Sequence, residues 1–120
     1  MSVTISISDQ PEDVWQIRSW VYRWLVRQVG EQRPKRPEIV KRLEICGYFN
    51  GISLDSEFKE SPALAKEIAE CLKNTIEVIL SQKVPVTDDD GERKEESEER
   101  VYASLNRLSE LLQNFPTPLR

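Results

Sequence analysis

Hydrophobic and polar positions along the chain change period several times, and each change marks an element. At the start, Val3, Ile5 and Ile7 alternate with Ser2, Thr4, Ser6 and Ser8. That period of two predicts a short strand over about 2–8. Its candidate partners are two weak extended pieces, Ile52–Leu54 and Val84–Val86.

The stretch Val14–Gly30, VWQIRSWVYRWLVRQVG, reads at the helical period. On a wheel of 100° per residue its apolar side chains, from Trp20 and Trp24 round to Trp15 and Val26, sweep roughly 240°. An ordinary surface helix shows a stripe of a little over 100°. Only Ser19, Arg23 and Arg27 form a clean polar strip. Ser8 or Asp9 caps this helix, Pro11 sits near its first turn, and Glu12 and Asp13 complement the dipole. The prediction is a helix over about 10–30, ended by Gly30. A helix so widely apolar is one wrapped by the rest of the protein, unless part of the arc is a binding surface.

Pro37 opens a second helix over about 37–48, with Ile39, Leu43 and Cys46 on its apolar face. The stretch GYFNG (47–51) stops it. A tight turn with Tyr48 and Phe49 tucked inward is the expected arrangement there, and an exposed contact loop is the other one. Residues 52–60 read as a loop with a short extended piece. Ser61 and Pro62 then start a third helix over about 61–82, whose apolar arc of roughly 200° also predicts deep burial. Pro85 breaks the chain. An acidic connector over about 87–97 leads to a fourth helix at about 92–114. There Val101, Leu105, Leu108, Leu112 and Phe115 form the narrow stripe of a helix laid on the outside of a bundle. Pro116 and Pro118 end it. The sum is a mainly α, compact four-helix single domain, with the N-terminal strand across one end.

Composition removes several chemistries. The 120 residues include no histidine and only two cysteines. Histidine-based nucleophilic sites and general bases are therefore absent, and one chain cannot build a four-cysteine zinc site. Cys46 and Cys71 fall on apolar helix faces and are expected as buried free thiols. No apolar run has the length of a membrane span, and the first ten residues lack the basic and apolar regions of a secretory signal. A cytoplasmic protein is the expectation.

Charge is uneven. Residues 1–50 carry eight basic and six acidic side chains, and residues 51–120 carry nine and fifteen, for a net charge of −4. The first helix and the basic loop that follows it combine Trp15, Trp20, Tyr22 and Trp24 with Arg18, Arg23, Arg27, Arg33, Lys35, Arg36, Lys41 and Arg42. Aromatics for stacking plus arginines for phosphate are the chemistry of single-stranded nucleic-acid binding. The acidic total weighs against a dominant phosphate surface. The same residue types concentrate at protein interfaces. Arg18 falls between Leu25 and Val29 inside the apolar arc, so it must snorkel or pair with an acid. The expected partner is Glu67, Glu70 or Glu99, and a cleft or a binding partner is the alternative.

The acidic run Asp88, Asp89, Asp90, Glu92, Glu95, Glu96, Glu98 and Glu99 does not fit an EF-hand. Aligning Gly91 with the loop glycine puts Val86 and Ser97 at the first and last ligand positions. A solvated, mobile loop is the plain reading, and an acidic face for a basic partner is the other. No carboxylate pair sits in an apolar context, and no glycine loop cradles phosphate.

These features lead to a non-catalytic protein-interaction module with no cofactor and no metal. Its candidate contacts are Arg18, Trp20, Arg23, Trp24, Arg27, Tyr48, Phe49, Asp88, Asp89, Asp90 and Glu92. Small size and acidity suit an accessory or inhibitory protein of the immunity or antitoxin kind. The partner is another protein or a second copy. Weak RNA or single-stranded DNA binding through the first helix and the basic loop is the alternative.

Overall fold

The computed structural model describes residues 2–8, 10–32, 35–113 and 115. Asp9, Arg33, Asn114, Pro116 and Pro118, to which a cap, a basic contact and a helix end are assigned above, lie outside them. The chain runs β1 (Ser2–Ser6), β2 (Val14–Arg18), α1 (Ser19–Glu31), α2 (Pro37–Tyr48), β3 (Gly51–Ser53), α3 (Leu54–Glu60), α4 (Pro62–Gln82) and α5 (Glu95–Gln113). This corrects the four-helix expectation: among the described residues five helices pack with a three-stranded sheet.

The strand alternation holds. Val3 and Ile5 point into the core and the residues between them do not. β1 is the central strand, in the order β2-β1-β3. It pairs antiparallel with β2, Val3 opposite Ile17 and Ile5 opposite Trp15, and parallel with β3, Ile5 beside Ile52. Of the two weak partners, the segment at 52–54 contributes to the sheet. Val84–Val86 does not, and serves instead as a hydrogen-bonding stretch under α5.

The predicted first helix divides at Arg18. Residues 14–18 alternate, with Trp15 buried and Gln16 and Arg18 exposed, and only from Ser19 does the chain turn helical. On a single wheel the strand's apolar residues Val14, Trp15 and Ile17 fall inside the arc of the helix's own buried face, so the break leaves no mark there, and the half-buried Trp20 of α1 gives the arc its extra width. Within α1 the buried set Val21, Tyr22, Trp24, Leu25, Val26 and Val29 covers roughly 200°. Ser8 caps a turn of the β1–β2 hairpin, accepting from the Gln10 N–H and donating to Asp13, and caps no helix.

Tryptophan N–H groups tie the elements together. Trp15 Nε1 donates to the Ser104 carbonyl and hydroxyl, 2.9 Å each, joining β2 to α5. Trp24 Nε1 donates to the Pro85 carbonyl at 3.0 Å. Tyr102 reaches the Val84 carbonyl. A buried aromatic with a polar tip needs such a partner, and these fix where the 83–86 segment crosses the molecule. α4 runs through the centre on Ile68, Leu72, Ile76 and Ile79, all fully buried. α5 covers it with Val101, Leu105, Leu108 and Leu112, the stripe expected of an outer helix.

Two glycines permit close approach. A Cβ on Gly51 would fall onto the Thr4 carbonyl oxygen, so only glycine lets β3 lie beside β1. A Cβ on Gly47 would sit 3.1 Å from the Tyr22 ring, so α2 can lie against α1 there. The Tyr22 hydroxyl donates to the Leu43 carbonyl at 2.7 Å and locks the same contact.

Candidate interaction surface

The sequence-derived site residues separate into three groups. Trp24 is fully buried core. Trp20 is half-buried and packs against the core edge. Arg18 is exposed on the last residue of β2, and the expected pairing with Glu67, Glu70 or Glu99 does not form: Glu67 pairs with Arg36. The reason is the strand. At a period of two, Arg18 points away from the face that carries Ile17, so it needs no counter-charge.

The second group is Arg23, Arg27, Asp88, Asp89, Asp90 and Glu92, which the fold brings together. The acidic connector is a built hairpin, correcting the mobile loop. Asp88 accepts from the Asp90 and Glu92 N–H groups at 2.9 and 3.0 Å, and its own N–H donates to the Glu92 carbonyl at 2.9 Å. Thr87 and Arg93 form a bridge, and Gly91 takes the left-handed conformation the turn requires, φ 83°. These hydrogen bonds hold the Asp88 carboxyl below its ordinary range. At the base of the hairpin the buried Glu98 carboxylate accepts from the Val86 N–H and from both arms of Arg93. The Arg93 fork, then the Val86 N–H, lowers its pKa. The helix accordingly begins at Glu95, three residues after the expected start, because residues 92–94 belong to the hairpin.

This hairpin docks on the polar strip of α1. Arg23 Nε and Nη2 donate to the two Asp89 oxygens at 2.8 and 2.6 Å, a bidentate fork. Arg27 lies 3.8 Å from Asp89 and donates to the Thr87 and Asp88 carbonyls. The hydrogen bond from Arg23 holds the Asp89 carboxyl low, and the same bond raises the guanidinium. Asp90 and Glu92 remain exposed.

The third group is Tyr48 and Phe49. They are 84% and 79% exposed, so the inward-tucked expectation is wrong. Gly47 is occupied by the Tyr22 ring beneath it, and Asn50 turns left-handed at φ 66° to deliver Gly51 onto β1. The backbone is anchored on both sides: Phe49 N donates to the Cys46 carbonyl and Thr4 N to the Asn50 carbonyl. With the inside filled, the two rings must point out. Tyr48 also lines a cleft of about 340 Å³ whose floor is Val3, Tyr22 and Val26 and whose rim includes Arg23, Arg27 and Glu44. The sequence signal for this exposure is the glycine pair flanking the aromatics, Gly47 and Gly51, which marks a backbone pinned against neighbours.

Cys46 is buried and Cys71 half-buried, both free; burial raises each thiol. Among the described residues no group of three or more acidic or cysteine side chains could hold a metal ion, and no helix is long and apolar enough to cross a membrane. No protein-family model matches the chain, and neither a curated protein nor a solved structure matches it.

Proposed function

We propose that this chain is a non-catalytic protein-interaction module, an accessory or inhibitory protein by its size and acidity, and that its contact surface is the Tyr48–Phe49 corner with the adjoining α1 edge. The carrying observation is the pair of adjacent aromatics left about four-fifths exposed on an anchored turn. Burying such a side chain is worth about 1.5–3 kcal/mol. That free energy is not gained within the chain and is available to a partner. Tyrosine and arginine are the residue types that dominate interface energetics, and a rigid backbone keeps the ordering cost of binding low.

The test is site-directed photo-crosslinking in the cells the protein comes from. Benzoyl-phenylalanine at Phe49 should trap a discrete protein adduct. The same probe at the exposed Glu77 of α4 should not, and Tyr48→Ser should weaken the Phe49 adduct. Adducts equal at both positions, or none at Phe49, would remove this surface from consideration. A nucleic-acid role has less support, because the chain carries a net charge of −4.

A further inference from the structure

We infer that the groove between α1 and α2 receives an acidic, apolar segment of a partner protein, and that Asp89 occupies its arginine pair until that segment arrives. This rests on the interaction-module reading and specifies its occupant. The cleft beside Tyr48 and a second, shallower hollow of about 490 Å³ beside Gly30, Pro37 and Val40 share one wall residue, Glu44. Together they follow α1 from Ser19 to Gly30, about 17 Å at the helical rise. That span suits three turns of a helix or five to six extended residues.

The chemistry of the walls sets the occupant. The floor is apolar, with Val3 and Val26 at one end and Val40 at the other. The rims hold Arg23 and Arg27, which share the one carboxylate of Asp89, at one end, and Lys35 and Lys41, which have no ion pair among the described residues, at the other beside Arg36, itself paired with Glu38 and Glu67; the acid that lines both hollows is Glu44. A segment that fits must bring apolar side chains flanked by negative charge. A carboxylate is the favoured anion because the Arg23 fork already holds one in bidentate geometry. Asp89 is half-exposed and its hairpin is held independently by Asp88 and Glu98, so it can leave the arginines without unfolding its own turn. An incoming carboxylate then exchanges one exposed ion pair for another, and burial of the exposed Tyr48 ring at the cleft supplies the net gain.

The experiment pans a displayed library of random 12-residue peptides against the purified protein. It then measures selected peptides on wild type, Asp89→Asn and Arg23→Glu. Expected are peptides combining Asp or Glu with aliphatic or aromatic residues. Their binding should be about two- to fivefold tighter on Asp89→Asn, the scale of one exposed ion pair. Arg23→Glu should weaken it about tenfold. Amide 15N shifts should fall on Gly30, Val40 and Gly47. The inference is overturned by absence of enrichment, by basic or neutral selected peptides, or by affinities that Asp89→Asn leaves unchanged. Stronger competition from a thymidine oligonucleotide than from the peptides would overturn it in favour of nucleic acid. A specific Phe49 adduct alongside any of these failures would leave the interaction module standing and remove only the acidic occupant.

Discussion

Replacing Gly47 by alanine sets two effects of opposite sign against each other. Gly47 is helical, and alanine in place of glycine favours a helix by about 0.5–1 kcal/mol. The added Cβ would meet Tyr22 Cε2 at 3.1 Å and Cδ2 at 3.4 Å. The ring could yield only by moving within a site where it is 1% exposed, while its hydroxyl is held 2.7 Å from the Leu43 carbonyl. Forcing a methyl into a close-packed site costs about 1–3 kcal/mol. The overlap therefore wins, and Gly47→Ala destabilises by about 1 kcal/mol. In a Tyr22→Leu background the ring is gone, and the same substitution stabilises by up to about 1 kcal/mol. The coupling in the double-mutant cycle is then about 2 kcal/mol. Urea unfolding followed by circular dichroism, with the slope unchanged between variants, measures all four corners. A Gly47→Ala that stabilises equally in both backgrounds would refute the tight α1–α2 contact.

Three further outcomes follow from the same structure. Gly51→Ala should abolish the β1–β3 pairing and lower the melting temperature steeply, whereas Gly91→Ala, whose Cβ meets open space, should cost only about 1–2 kcal/mol of left-handed strain; thermal unfolding of both variants distinguishes them. Because Arg93 and the Val86 N–H hold the Glu98 carboxyl low, its stabilising contribution is complete above the ordinary glutamate range and disappears as pH falls through the lowered value. Acid unfolding of Glu98→Gln should therefore show a shallower loss than wild type over that range, and parallel curves would contradict the assignment. Trp15 and Trp24 are 2% and 0% exposed and Trp20 is half-buried; acrylamide should quench a single fraction of the fluorescence, and Trp20→Phe should remove it.

The helices were largely readable because local chemistry marks their ends. Pro37 and Pro62 open α2 and α4 at the positions expected, and the α4 and α5 stripes point inward as their periods require. The break at Arg18 was hidden because β2 feeds directly into α1, with no proline or glycine between two apolar patterns and only Arg18 and Ser19 at the join. α3 was hidden for another reason. It is seven residues long, and Leu54 is its one buried residue, too little for a period to register. Of the candidate site, residue types were legible but their relations were not. Nothing local in Asp88–Glu92 says that it folds back 66 positions to meet Arg23. That encounter depends on where Pro85 is held by Trp24, a tertiary fact.

The bond from Trp15 to Ser104 spans 89 positions. During synthesis β1 and β2 emerge early, yet the Trp15 indole has no acceptor until the last helix is complete. The Trp15 indole therefore stays wet until α5, 89 positions later in the chain, docks on β2. Trp15 thus carries a clock: its burial reports the docking of α5 on β2. Any stall before α5 leaves a nascent chain whose Trp15 indole is open to chaperones.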